Sequence, residues 1–137
     1  MEETKRQTEM VLDEVRERFS HDCFATANGA VIDEIGEGYA KCSMVLDGKH
    51  RNALGAVMGG AIFTLADFAF AVASNWNHSP QVSLTASISF LGKAKGDRLI
   101  AEARKIKEGK NTCCYEVMIS DELGNKVGHM TSNGFVL

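Results

Sequence analysis

The sequence is poorest in the features that mark other classes of protein. It has a single proline, Pro80, and no internal repeat or low-complexity stretch, so neither a linker between domains nor a repeat array is expected. No cluster of basic residues stands out. Fifteen lysines and arginines against eighteen acids leave a net charge of −3, which argues against nucleic acid as a partner. The opening residues, MEETKRQTEM, are charged where a secretory signal would be apolar, and the longest greasy run, Ala61 to Ser74, is too short to cross a bilayer. The expectation is a cytoplasmic protein without a membrane partner. Four cysteines, Cys23, Cys42, Cys113 and Cys114, form no CxxC pair. Free thiols, buried or half-buried, are expected in place of a disulfide framework. His21, His50, His78 and His129 lack metal-ligand spacing, and neither phosphate-cradling glycine motif occurs. No metal and no resident cofactor is therefore expected.

What is present is apolar patterning. With 45% hydrophobic residues over 137 positions, the chain is long enough for one domain with its own core, residues 1–137. Within residues 1–20, Met10, Val11, Leu12, Val15 and Phe19 recur at helical spacing among charges of both signs, which predicts an amphipathic helix docked on the domain edge. Two β-type runs, about residues 24–34 and 39–46, flank the turn GEG. Ala40, Cys42, Met44 and Leu46 make one apolar face of the second.

A helix is predicted from Gly59 to Asn75, hydrophobic on all sides, and such a helix must be surrounded. After it, VSLTASISFL alternates, with Val82, Leu84, Ala86, Ile88 and Phe90 expected on a core face and Ser83, Thr85, Ser87 and Ser89 opposite. Three more strands, joined by hairpin turns at EGK and DELGN, complete an expected four-strand meander. One such helix and about six strands describe an α+β fold, an antiparallel sheet curled around a single long helix.

One carboxylate interrupts the greasy helix. Asp67 has Phe63 and Ala71 four residues away and Thr64 and Phe70 three away, so no local cation pairs with it. A buried, unpaired carboxylate is costly or becomes neutral. Two readings stand: a wet strip or a distant hydrogen-bonding partner, or a catalytic base or nucleophile in a partly dry cleft. Acyl transfer also needs donors aimed at the developing oxyanion. The N–H groups of Gly59 and Gly60 at the helix start are free of intrahelical partners and unobstructed by side chains, although a tight turn explains the glycine pair equally. Eight residues of helix separate Gly59 from Asp67, about 12 Å. If both act, they act on one carbonyl only across two copies of the chain, which predicts at least a two-fold dimer.

HRNALGAVMGGAIFTLADFAFAVASN, residues 50–75, resembles the central segment of the PaaI-type acyl-CoA thioesterases of the hotdog fold. Their pattern is His-x-Asn-x-x-Gly-x-x-His-Gly-Gly before a helix carrying Leu-Ala-Asp. His50, Asn52, Gly55, Gly59, Gly60, Leu65, Ala66 and Asp67 match it, and VSLTASISFLGKAKGDRLIAEA is similar to the following strand, including Gly96-Asp97. The resemblance implies an acyl-CoA substrate, coenzyme A entering only as part of it, and a homodimer commonly assembled into a homotetramer. It further implies that Asp67 activates water or attacks the thioester, that the Gly59 N–H polarises the carbonyl from the partner subunit, that Asn52 shapes the site, and that Ser83 helps position the water. His50 matches as well, with orientation of a loop an equal reading.

The family histidine before the two glycines is Met58 here, and LGKA replaces a common proline. Ser83 lies on the hydroxyl face of its strand, so either the strand is irregular there or Ser83 is not catalytic. Lys93, Lys95, Lys107 and Lys110 read as solvated surface or as contacts to coenzyme A phosphates. Two functions follow: thioester hydrolysis, or a non-catalytic acyl-CoA-binding or sensing module that Met58 makes more credible. A dehydratase would want a histidine where Met58 stands. The acyl wall is to be sought among Met58, Phe63, Phe68, Phe70 and Phe90.

Overall fold

The computed structural model describes residues 2–137, residues 5 and 8 by their backbone alone. Helix α1 covers Glu2–Phe19, α2 Cys23–Ala27 and α3 Gly59–Asn75. Strands β1 to β6 cover Ala30–Gly36, Tyr39–Val45, Gln81–Phe90, Arg98–Glu108, Thr112–Asp121 and Lys126–Val136. They form one six-stranded sheet in the order β1-β2-β4-β5-β6-β3, antiparallel at every pairing.

Alternation decides which face of this sheet is core. In β5, Cys113, Tyr115, Val117, Ile119 and Asp121 are buried and the residues between them are half-buried, as a central strand with one covered face requires. Onto that face packs α3, whose Leu65, Ala66, Ala69 and Val72 are wholly buried together with Met44, Leu99 and Met130. Phe70 meets Tyr115 edge to face, ring centroids 5.4 Å apart, and Phe19 brings α1 against Phe68 in the same way at 6.3 Å. Burying one leucine such as Leu65 stabilises by about 1.5–3 kcal/mol, so the helix and sheet hold each other. Among the described residues, no helix is long and apolar enough to cross a membrane.

Several expectations need correction. Residues 23–27 are not the start of a strand but a short helix. Thr26 Oγ1 donates to the Asp22 carbonyl at 3.0 Å and Asn28 Nδ2 to that of Phe24 at 2.8 Å, and Gly29 at φ +98 then turns the chain into β1. The meander holds only for β4, β5 and β6, because β3 crosses to the far side of β6 and becomes an edge. Cys23 is exposed, unlike the other three thiols.

The alternation of β3 also breaks. Its register against β6 shifts between Ser83 and Thr85, so Ser83, opposite buried Gly134, shares the helix-side face with Ala86, Ile88 and Phe90, whereas Val82 points the other way. Nor is that face fully covered. Phe90 on it is 57% exposed, and Val82 and Leu84 elsewhere on the strand are 44% and 60% exposed. Finally, α3 is not surrounded: Gly60 and Asp67 are exposed, and Phe63, Thr64 and Ala71 only half-buried.

The Gly96-Asp97 pair has a structural explanation. Buried Asp121 accepts the N–H groups of Lys95 and Gly96 on one oxygen and those of Leu123 and Asn125 on the other, with the Asn125 amide as a fifth donor. Glu122 accepts the N–H groups of Asp97 and Arg98, and a Cβ on Gly96 would collide with its carboxylate. Burial pushes the Asp121 pKa upward, but the donors, the Asn125 amide first, outweigh it and hold the group well below the usual carboxylate range. Its folded pKa is therefore lower than its unfolded one. The stabilisation is complete above the unfolded value, about 3.9, and is lost as pH falls through the folded one. Asp121→Asn is expected to lower Tm at neutral pH, with the gap to the parent narrowing as the pH drops below about 4, followed by circular dichroism melts.

Candidate active site

The exposed and half-buried positions of α3, Gly60, Phe63, Thr64, Asp67 and Ala71, fall at helical spacing and make one open stripe. Asp67 lies on it in a cavity of about 430 Å³, walled by Asp22, Cys23 and Phe24 on one side and by Phe63, Thr64 and Phe68 on the other. No lysine or arginine lines this cavity. Partial burial raises the Asp67 pKa above the ordinary carboxylate range, and the negative charge of Asp22 adds to the effect. A carboxylate so placed binds a proton more strongly than a free aspartate while remaining reachable from solvent.

The start of α3 is presented by a stapled loop. His50 is 2% exposed. Its Nδ1 accepts the Asp47 N–H at 3.0 Å, so its Nε2–H donates to the Asn28 carbonyl at 2.7 Å. Both ring nitrogens are thus engaged with backbone groups, one within the loop and one on Asn28. The Met58 N–H returns to the His50 carbonyl at 2.8 Å, beside a bridge between Arg51 and Val57. Inside the loop, Asn52 Oδ1 accepts the N–H groups of Leu54 at 2.9 Å and Ala56 at 3.1 Å, an Asx-type turn that Gly55 completes at φ +80. Asn52 is exposed.

The first N–H groups of α3 to find a helical acceptor are those of Ala61 and Ile62, both on the Met58 carbonyl. Among the described residues, those of Gly59 and Gly60 have none, and they carry the positive end of the helix dipole. A side chain on Gly59 would stand 3.1 Å from the Phe90 ring, whereas Gly60 is open. Gly59 lines a cavity of about 400 Å³ with Arg51, Val57, Ile62, Phe90 and Lys93. Met58, 51% exposed, lines a third cavity with Lys49, His50 and Gly60, which joins that of Asp67 at Phe24, Phe63 and Thr64.

The structure therefore places His50, Met58 and Gly60 in a cavity adjoining that of Asp67, the two sharing Phe24, Phe63 and Thr64, and leaves Gly59 facing another. Ser83 is remote in the chain from both, its Oγ 3.3 Å from that of Ser132. Of the aromatic and sulfur side chains considered for an acyl wall, Phe70 belongs to the core. Met58, Phe63 and Phe68 line the groove, and Phe90 lines the Gly59 cavity. Asp22 and Phe24 were missed because their segment reads as a strand. The signal that marks them is an aspartate at a capping position before an alanine-containing stretch. Among the described residues, no group of three or more His, Cys, Asp or Glu side chains is arranged to hold a metal ion.

Comparison with known proteins gives this geometry its context. The model of the thioesterase superfamily matches residues 54–127. The chain is 42% identical over 87 residues to an esterase candidate of Archaeoglobus fulgidus, a match covering 63% of this chain and 56% of that protein's length. It is 33% identical over 105 residues to the acyl-coenzyme A thioesterase PaaI of Escherichia coli, covering 76% and 75% of the two chains. The solved structure of the E. coli PaaI protein superposes with a TM-score of 0.80 at 26% identity, over 92% of this chain and 96% of that one. A Streptococcus mutans protein solved with acetyl-CoA bound superposes with a TM-score of 0.75 at 27% identity, over 80% and 89%. With its helix-centred antiparallel sheet and its matched segment, the chain belongs to the thioesterase superfamily, among the PaaI-type hotdog proteins.

Proposed function

We propose that the chain hydrolyses acyl-CoA thioesters at sites shared between two copies, Asp67 from one and the Gly59 N–H from the other. The observation that carries this reading is the division of α3 into two half-sites, an unpaired N-terminus and a carboxylate about 12 Å further along, which open into separate cavities. Asp67 starts the reaction, either by taking a proton from the water that adds to the thioester carbon or by adding to it directly. The carbonyl oxygen becomes negative against Gly59 of the partner subunit, where a fixed N–H and the helix dipole stabilise it. The carbon–sulfur bond then breaks, and the coenzyme A thiolate leaves and gains a proton; on the direct route, water then hydrolyses the mixed anhydride, freeing the acid and restoring the Asp67 carboxylate. The names of the relatives and the acetyl-CoA in one structural neighbour support this substrate class.

The second copy has a natural place. Strand β3 is a sheet edge of ten residues with large apolar side chains in water, and such an edge invites pairing. A second β3 across a two-fold axis would continue the sheet and cover them, with further pairing into a tetramer as the family implies. Arg51 and Lys93, at the mouth of the Gly59 cavity, are suited to coenzyme A phosphates.

Four outcomes are expected. Asp67→Asn and Asp67→Ala should lose about 10²–10⁴-fold in kcat, measured as free-thiol release over aryl, short, medium and long acyl-CoAs. Mixed Gly59-disabled and Asp67-disabled subunits should regain part of the activity, since one of the two shared sites in each hybrid is then intact. A parent that binds CoA esters by calorimetry yet releases no thiol would instead favour the binding module that Met58 suggests. Leu84→Glu should shift sedimentation from dimer to monomer and remove hydrolysis with it. Arg51→Ala should raise KM and leave kcat near the parent's, the mark of a contact equal in ground and transition states.

A further inference from the structure

Asp22 stands at the capping position before α2, where an aspartate side chain ordinarily accepts an N–H from the first turn. It makes no such bond. Its carboxylate instead lines the cavity that holds Asp67, and of the charges nearby it is the one whose field adds to the effect of burial on that group.

The other charged and titratable groups around Asp67 are engaged or turned elsewhere. Besides Asp67, α3 contributes no charged residue. From α2, Cys23 lines the cavity as a thiol whose Sγ lies 3.3 Å from the His21 carbonyl. Across the adjoining groove, Lys49 pairs with Asp47 and both His50 nitrogens are bonded. Behind Asp22, Arg18 and His78 line a further cavity with it; Arg18 keeps its charge while donating to the Trp76 carbonyl at 2.6 Å, and His78 pairs with Glu108 at 2.8 Å. Beyond Phe68, Asp33 pairs with Arg98 and Arg16 with Asp13. Among the described residues, none of these forms an ion pair with Asp22.

We propose that Asp22 is a positioning residue for the reaction at Asp67: its negative charge, held across the shared cavity by the start of α2, sets the pH at which the site becomes active. The inference rests on the reading of Asp67 as the acting carboxylate. A like charge disfavours ionisation of its neighbour, so Asp67 ionises later and is the stronger base once ionised. Because Asp22 is exposed to solvent, salt weakens the coupling, the Debye length falling from about 30 Å at 0.01 M to about 3 Å at 1 M. Short α2 thereby becomes a lever: whatever displaces it from α3 lowers the pH at which hydrolysis begins.

The test compares the parent with Asp22→Asn and Asp22→Glu in two readouts, the acid limb of kcat/KM and the carboxyl-carbon NMR titration of Asp67. Asp22→Asn should move both to lower pH, so that it outpaces the parent on the parent's acid limb. Asp22→Glu should stay with the parent, and the difference between parent and Asp22→Asn should shrink at high salt. An unmoved Asp67 titration in Asp22→Asn overturns the proposal, as does an equal displacement in Asp22→Glu, which would mark a structural disturbance. If Asp67→Asn keeps parental kcat, the catalytic reading fails, and the proposal, which depends on it, falls with it. If Asp67→Asn is inactive and Asp22→Asn leaves the limb in place, the catalytic reading stands and the role of Asp22 alone is refuted.

Discussion

Helix α3 carries more apolar surface than one curled sheet can cover. The sheet takes the face with Leu65, Ala66, Ala69 and Val72 and leaves the stripe from Gly60 to Ala71 open. That shortfall has consequences on both sides of the helix. The open stripe becomes the floor of a groove, with α2 as one wall and the loop around His50 as the other. On the sheet, β3 is left at an edge with Leu84 and Phe90 in water. A single chain thus ends with two incompletely covered surfaces, one holding a carboxylate and one an apolar sheet edge.

The groove treats its carboxylate in a particular way. Most carboxylates elsewhere in the fold that depart from ordinary behaviour are held ionised by backbone donors, as Asp121 is by the turn before β6. Asp67 receives no donor of that kind. Burial and the Asp22 charge both oppose its ionisation, so the same residue type is held ionised in one place and holds its proton more strongly in the other. The difference lies in what surrounds each: N–H groups at Asp121, apolar walls and a like charge at Asp67.

The stapled loop has a comparable economy of parts. His50 and Asn52 direct oxygen and nitrogen atoms to backbone groups of their own loop and, from His50, to the Asn28 carbonyl after α2, and the outcome is a fixed entry into α3 with the Gly59 and Gly60 N–H groups left over. Met58, which departs from the histidine of the family pattern that the segment resembles, lines a cavity with its side chain. The loop is held by the His50 ring and by the backbone N–H of Met58.

Periodicity and motif made much of this protein legible. The long helix, its bounds at Gly59 and Asn75, the alternating strands and the isolation of Asp67 all follow from spacing, because helical and strand periods are local properties of the chain. The 12 Å between glycine and acid is equally local, since it depends only on helical rise. Other features depend on partners distant in sequence. The place of β3 beside β6 is decided by sheet topology, and the face of Ser83 by a register shift against a strand some fifty residues later. The exposure of α3 depends on how far the sheet reaches around it. Asp22 belongs to this second group: its capping position can be read along the chain, but only the packing of α2 on α3 brings its charge to Asp67. The sequence by itself determined the long helix, the lone acid on it and how far from Gly59 that helix holds Asp67. The tertiary structure alone decided which side of that helix stays open and what charge looks onto it, because burial and electrostatic neighbours are set by contacts that no local pattern encodes.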